Sequence, residues 1–179
     1  MLRSNLRLIR NLGLFILPLI LLIQSGCDQQ LPAEPTRSGN VTILKSFSSP
    51  ALHKGFKNEV LIDDDGGSIW VGEITTGYSG LVFPEKALDD DTWIAIVWMS
   101  ESLLQMDCYP SGERFDEPVY IQLSYKDADI TGIDEDDLAI YWYDPVTEGW
   151  EFIGDNVNTS DKYVSGYINH FSRYAIGYE

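Results

Sequence analysis

Val119-Tyr120-Ile121-Gln122-Leu123-Ser124-Tyr125 alternates between two sets of side chains without a break. Successive side chains of an extended strand point to opposite faces. A period of two therefore sends Val119, Ile121, Leu123 and Tyr125 into a core and leaves Tyr120, Gln122 and Ser124 outside. The same reading extends in both directions. Downstream, Leu138–Tyr143 continues it and stops at Asp144-Pro145, and Trp150–Ile153, Tyr163–Ile168 and Ser172–Tyr178 complete the series. Upstream, Thr92–Met99 is the most apolar run and reads as a central strand buried on both faces. Glu59–Ile62 runs into Asp63-Asp64-Asp65-Gly66-Gly67, whose glycines supply positive φ for a tight hairpin to Ser68–Ile74. Gly77 to Gly80 reads as a break, and Pro84 ends the strand Leu81-Val82-Phe83 because it cannot donate to a ladder. About nine short strands and no amphipathic helix predict an all-β, antiparallel two-sheet β-sandwich. Its expected core takes Ile94, Ile96, Val119, Ile121, Leu123, Leu138, Ile140 and Ile176.

The start of the chain carries a different signal. Arg3, Arg7 and Arg10 precede an apolar run over residues 12–23, broken only by Pro18. A basic start and an apolar core shorter than a membrane-spanning helix read as a secretory signal peptide. Gln24-Ser25-Gly26-Cys27 follows and resembles the lipobox of bacterial lipoproteins, with Gln24 where an aliphatic residue is usual. That resemblance implies lipidation of Cys27 and cleavage before it, and an uncleaved signal anchor is the other reading. Either tethers the domain to a membrane. The expected organisation is a signal peptide over 1–26, an anchor and linker over 27–55, and the sandwich over 56–179. Val41, Ile43 and Leu44 form either a short first strand or part of the linker. With Cys27 lipidated, Cys108 has no disulfide partner within the chain. It follows Leu104 and Met106 at two-residue spacing, which fits a small buried apolar role.

Net charge is −16, unevenly placed. Taking the three leader arginines from the 12 basic residues leaves nine against 28 acidic ones beyond residue 26, a net of −19. Such a surface repels phosphate backbones and anionic headgroups, which disfavours nucleic acid as a partner.

Three segments together resemble a known module. They are Gly66-Gly67-Ser68 leading to Leu81-Val82-Phe83-Pro84-Glu85-Lys86-Ala87-Leu88 and Asp91-Thr92; Tyr109-Pro110-Ser111-Gly112 followed by Phe115-Asp116-Glu117-Pro118-Val119; and Tyr141–Asp144, Gly149-Trp150-Glu151 and His170-Phe171-Ser172-Arg173-Tyr174-Ala175. In order and spacing these are similar to the ZU-five domain of ankyrins, netrin receptors and zonula occludens scaffolds, over roughly residues 60–179. The resemblance implies a β-sandwich used for interaction and scaffolding, here with another envelope protein as the expected partner and no cofactor. Some members of that family cut themselves between the Phe and Ser of His170-Phe171-Ser172. Ser172 would attack the Phe171 carbonyl with His170 as base or polariser. Against this, the motif can be a purely structural part of the last strand, with His170 and Ser172 on one side and Phe171 on the other.

Other chemistry is weaker. Asp63–Asp65, Asp89–Asp91 and Asp134–Asp137 invite a calcium reading, but Asp at turns is favoured for local hydrogen bonds. Trp70, Trp93, Trp98, Trp142 and Trp150 can stack on sugar rings or simply pack in the sheets. A carbohydrate- or calcium-binding sandwich is thus the alternative to a scaffolding module. No phosphate loop, metal-spaced Cys/His set or nucleophile elbow is present, and only His53 and His170 could serve a triad.

Overall fold

The computed structural model describes residues 40–47, 57–98 and 103–179. The chain divides into Met1–Ala33 and Glu34–Glu179. The leader, Cys27 and His53 lie outside the described residues. The described residues form twelve strands: β1 (Thr42–Ile43), β2 (Lys57–Ile62), β3 (Gly67–Glu73), β4 (Gly77–Phe83), β5 (Thr92–Trp98), β6 (Gln105–Tyr109), β7 (Arg114–Ser124), β8 (Ala139–Asp144), β9 (Gly149–Gly154), β10 (Asn156–Asn158), β11 (Tyr163–His170) and β12 (Arg173–Tyr178). One 3-10 turn spans Glu135–Asp137. A seven-stranded sheet runs β2-β5-β6-β12-β8-β9 with β1 also on β12, and a five-stranded sheet runs β10-β11-β7-β4-β3. Every pairing is antiparallel. The fold is the two-sheet sandwich that the alternation predicts.

The core lies between the inner faces. All eight side chains expected there are fully buried. Val119, Ile121 and Leu123 of β7 join Ile69, Val71, Leu81 and Phe83 from one sheet, and Ile94, Ile96, Met106, Ile140 and Ile176 from the other. Cys108 is buried in the same cluster, and burial pushes its thiol far above the ordinary range. It behaves as a small hydrophobe, as its spacing predicts. Residues 42–43 do form a strand, and Leu44 is buried.

Five readings need correction. Thr92–Trp98 is buried on one face only: Ile94 and Ile96 point inward while Trp93 is 63% exposed. The strand sits between β2 and β6, one place from the sheet edge, and its apolar outward residues are exposed or half-buried. Gly66-Gly67 makes a tight turn but no hairpin, because β2 pairs with β5 and β3 with β4. The turn carries the chain from one sheet to the other. Gly77 and Gly80 belong to β4 instead of breaking it. A Cβ at Gly80 would meet the Trp70 ring at 2.6 Å and the Ile69 carbonyl oxygen still closer, so glycine is there for close approach. Gln105–Tyr109 is a strand that the sequence reading did not name. Pro118, which lacks an N–H and is therefore expected to begin a strand, lies inside β7. It is tolerated because the β7–β11 register shifts beside it and β4 pairs only with Tyr120–Gln122.

The last crossover ties the layers together. β11 lies in the five-stranded sheet and β12 in the seven-stranded one, so Phe171-Ser172 spans between them. Phe171 is fully buried, with its ring 4.6 Å from Phe115 and 5.9 Å from Phe83. Its N–H donates to the Glu113 carbonyl, and its carbonyl accepts from the Gly112 N–H, each at 2.9 Å. Truncation would leave a cavity where the sheets meet. Phe171→Ala should therefore lose about 3–5 kcal/mol in urea unfolding, whereas Phe47→Ala, at an exposed residue, should stay within about 0.5 kcal/mol.

Candidate functional site

His170, Phe171 and Ser172 do not share a strand. His170 ends β11, and β12 begins only at Arg173. The His170 ring packs edge-on against Trp142, centroids 4.8 Å apart, and its carbonyl accepts from the Tyr174 hydroxyl. The Ser172 Oγ donates to the Tyr143 carbonyl at 3.3 Å, and its own carbonyl accepts from the Cys108 N–H. A carbonyl orients a hydroxyl but does not take its proton at neutral pH. The Phe171–Ser172 peptide is not cis, and the non-glycine residues with positive φ among those described are Lys86, Glu148 and Lys162. Beside Ser172 an open groove of about 250 Å³ is lined by Tyr109, Tyr143 and Arg173. Arg173 is committed there to a bidentate pair with the buried Asp107, at 2.6 and 3.0 Å.

The acidic runs make turn contacts. Asp63 accepts from the Asp65 N–H, Asp134 caps the 3-10 turn through the Asp136 N–H, and the Asp90 carbonyl accepts from the Thr92 hydroxyl. Among the described residues no group of three or more His, Cys, Asp or Glu side chains could hold a metal ion. Glu135 instead receives Lys162 Nζ at 2.6 and 2.8 Å and the Tyr125 hydroxyl at 2.5 Å. This joint fastens the end of β7 to the 3-10 turn and to the turn before β11. It holds the Glu135 carboxyl below the usual range, first through Lys162 and then through Tyr125. Burial, followed by the bond to Glu135, pushes the Tyr125 hydroxyl well up.

The tryptophans are scattered. Trp93 is exposed on the seven-stranded sheet opposite Leu61, Trp98 and Trp142 pack against the core, and Trp150 lies 5.4 Å from Tyr143. Only Trp70 lies on the outer face of the five-stranded sheet, and there it has company. The strand registers set out three rows across that face. One is Ser68, Val82, Tyr120 and Tyr167; the next is Trp70, Gly80, Gln122, Ser165 and Asn156. The third contains Gly72 and Tyr78 on one side and Ser124, Tyr163 and Asn158 on the other. Not one of these residues is charged, in a chain with 28 acidic side chains. The Trp70 ring lies directly over Gly80, and Tyr120 and Tyr167 meet edge to face at 5.9 Å. Gln122 is held from both ends: its Nε2 donates to the Tyr78 carbonyl, and its Oε1 accepts from the Tyr120 hydroxyl. A groove of about 360 Å³ opens between Tyr78 and Tyr163 over Gln122 and Ser124, with Lys126 and Asp161 on its border; the Lys126 ammonium donates to the Ile74 carbonyl. Sequence reading singled out Trp70 but missed these tyrosines. The usable signal was the run of uncharged outward positions at Tyr78, Gly80 and Val82, at Tyr120, Gln122 and Ser124, and at Tyr163, Ser165 and Tyr167.

No protein-family model matches the chain, and no curated protein does.

Two outcomes follow. Intact-mass measurement of purified protein should show no fragment ending at Phe171, and the same pattern for Ser172→Ala; a fragment seen only with Ser172 present would contradict this geometry. Because the folded Glu135 pKa is depressed, its stabilisation is full above the ordinary glutamate value and is lost as pH falls through the folded one. Urea midpoints of the native chain and Glu135→Gln should thus differ at neutral pH and converge in acid. A gap that does not change with pH would count against the joint.

Proposed function

We propose that this chain is an exported, non-catalytic binding module, tethered to a bacterial membrane through lipidated Cys27, that holds a second envelope component on the outer face of its five-stranded sheet. The single observation that carries the reading is a block of three adjacent uncharged, aromatic rows on the face of an otherwise strongly acidic protein. Charged side chains are the ordinary covering of a solvated sheet, and leaving them out of three adjacent rows while exposing Tyr78, Val82 and Tyr167 favours contact over solvation. The basic leader and Ser25-Gly26-Cys27 support the tether, and the resemblance to the ZU-five domain supports an interaction role. The hydroxyl of Ser172 meeting a backbone carbonyl instead of a base supports a module without catalysis.

Mass spectrometry of the membrane fraction should find Cys27 as an acylated N-terminus; an intact leader with unmodified Cys27 would remove the tether. A photo-crosslinking residue at position 167 or 82 should give adducts in living cells. One at position 146, where Val146 is 89% exposed on a turn, should not. Equal labelling at all three positions would remove the binding face.

A further inference from the structure

We infer that the outer face of the five-stranded sheet binds a neutral, extended glycan, with the Trp70 indole as its stacking platform and Gln122 as its central hydrogen-bonding group. The inference rests on that face being the binding surface, and goes on to name the ligand's chemistry.

Charge sets the first limit. The three rows carry none; Lys126 and Asp161, of opposite sign, border the groove beside them, the exposed Arg114 and Asp116 lie at the start of β7, and the mature chain is strongly acidic. An anionic ligand would meet long-range repulsion and find no cation in the rows to repay it. A cationic ligand would settle on the acidic turns. A neutral ligand is what remains.

The texture of the face sets the second. A protein partner is normally held by apolar or arginine anchors in a desolvated centre. Here Val82 is the one aliphatic side chain in the three rows, no arginine is present, and Gly, Asn, Gln and Ser68 lie among the rings, while Ser124 and Ser165 are buried. Rings interleaved with hydroxyls and amides match a pyranose, which has flat C–H faces and a rim of hydroxyls. The C–H faces pack on aromatic faces, and the rim needs partners already held in place. Gln122 is so held: its two bonds leave one amide hydrogen and one carbonyl lone pair free for a ligand. Glycine at position 80 lets the indole lie against the strand, because any Cβ there would strike the ring.

Geometry sets the third. From Trp70 on β3 to Tyr167 on β11 the path crosses β4 and β7. Trp70 and Tyr167 stand in adjacent rows, so three inter-strand spacings of about 14 Å and a two-residue offset of about 7 Å make a diagonal of about 16 Å, room for about three sugar rings in line. A straight chain follows such a path, whereas a helically wound glycan would leave it after one ring. The groove between Tyr78 and Tyr163, about 360 Å³, is of ligand size and lies beside the path.

The test is calorimetric titration of the full-length protein, in a detergent without a sugar headgroup, against cellohexaose and chitohexaose, with maltohexaose and polygalacturonate as comparisons. A β-linked neutral oligosaccharide should bind, with an affinity that does not change up to about 0.5 M salt. Trp70→Ala and the more exposed Tyr167→Ala should each weaken it about tenfold or more. Tyr167→Ala keeps the test sound if Trp70→Ala fails to fold. Preference for polygalacturonate, or binding that neither variant weakens, overturns the inference. No glycan binding while crosslinks from position 167 persist overturns the glycan but leaves the module with a different partner. Loss of both overturns the inference and the binding face together.

Discussion

Everything in this domain hangs on the crossing of the chain between its two sheets at Phe171. Two β-sheets with one apolar face each gain their stability by facing each other, and the connections must hold them in register while they do so. Phe171 sits where β11 leaves one sheet and β12 enters the other, wedged against Phe83 and Phe115. Both of its backbone polar groups bond to the Gly112–Glu113 turn, so the buried crossing leaves neither unpaired. A segment so fully engaged is a poor place to store the strain that self-cleavage would draw on. The motif that invites an enzymatic reading thus has an architectural role of its own.

With the inner faces committed to the core, function is left to the outer ones, and these differ. The seven-stranded sheet carries the Asp107–Arg173 pair and the exposed Leu61–Trp93 pair. The five-stranded sheet carries three adjacent rows of rings, amides, hydroxyls and glycines without a charge among them, and its charged residues lie beyond those rows, as at Arg114 and Asp116. A flat sheet presents its side chains at fixed spacing on a rigid scaffold, which lowers the entropy lost when a ligand is held. The joint of Tyr125, Glu135 and Lys162 stiffens the same sheet at the end where β7 runs out.

Much of the fold was legible because a period of two needs no partner to be seen. Val119 to Tyr125 declared its faces, and the eight core residues read from such patterns are all buried. What stayed hidden was pairing. Asp63 to Gly67 reads as a hairpin turn, and nothing local says that β2 and β3 belong to different sheets. Gly77 to Gly80 reads as a break because glycine is unfavourable in an isolated strand; its use becomes visible only when the register puts Gly80 under Trp70. The candidate face was hidden for the same reason. Tyr78, Tyr120, Tyr163 and Tyr167 come from three strands, and only pairing brings them together. His170 and Ser172 fit one strand by spacing, but the strand ends between them.

The claim that the outer face of the five-stranded sheet is where this protein binds is tested most directly by nuclear magnetic resonance of the labelled protein titrated with a neutral β-linked hexasaccharide. The account predicts shifts in the Trp70 indole N–H and the Gln122 side-chain amide, with the Trp93 and Trp150 indoles unmoved on the other sheet. Shifts centred on Trp93 or Trp150, with Trp70 and Gln122 silent, would contradict it.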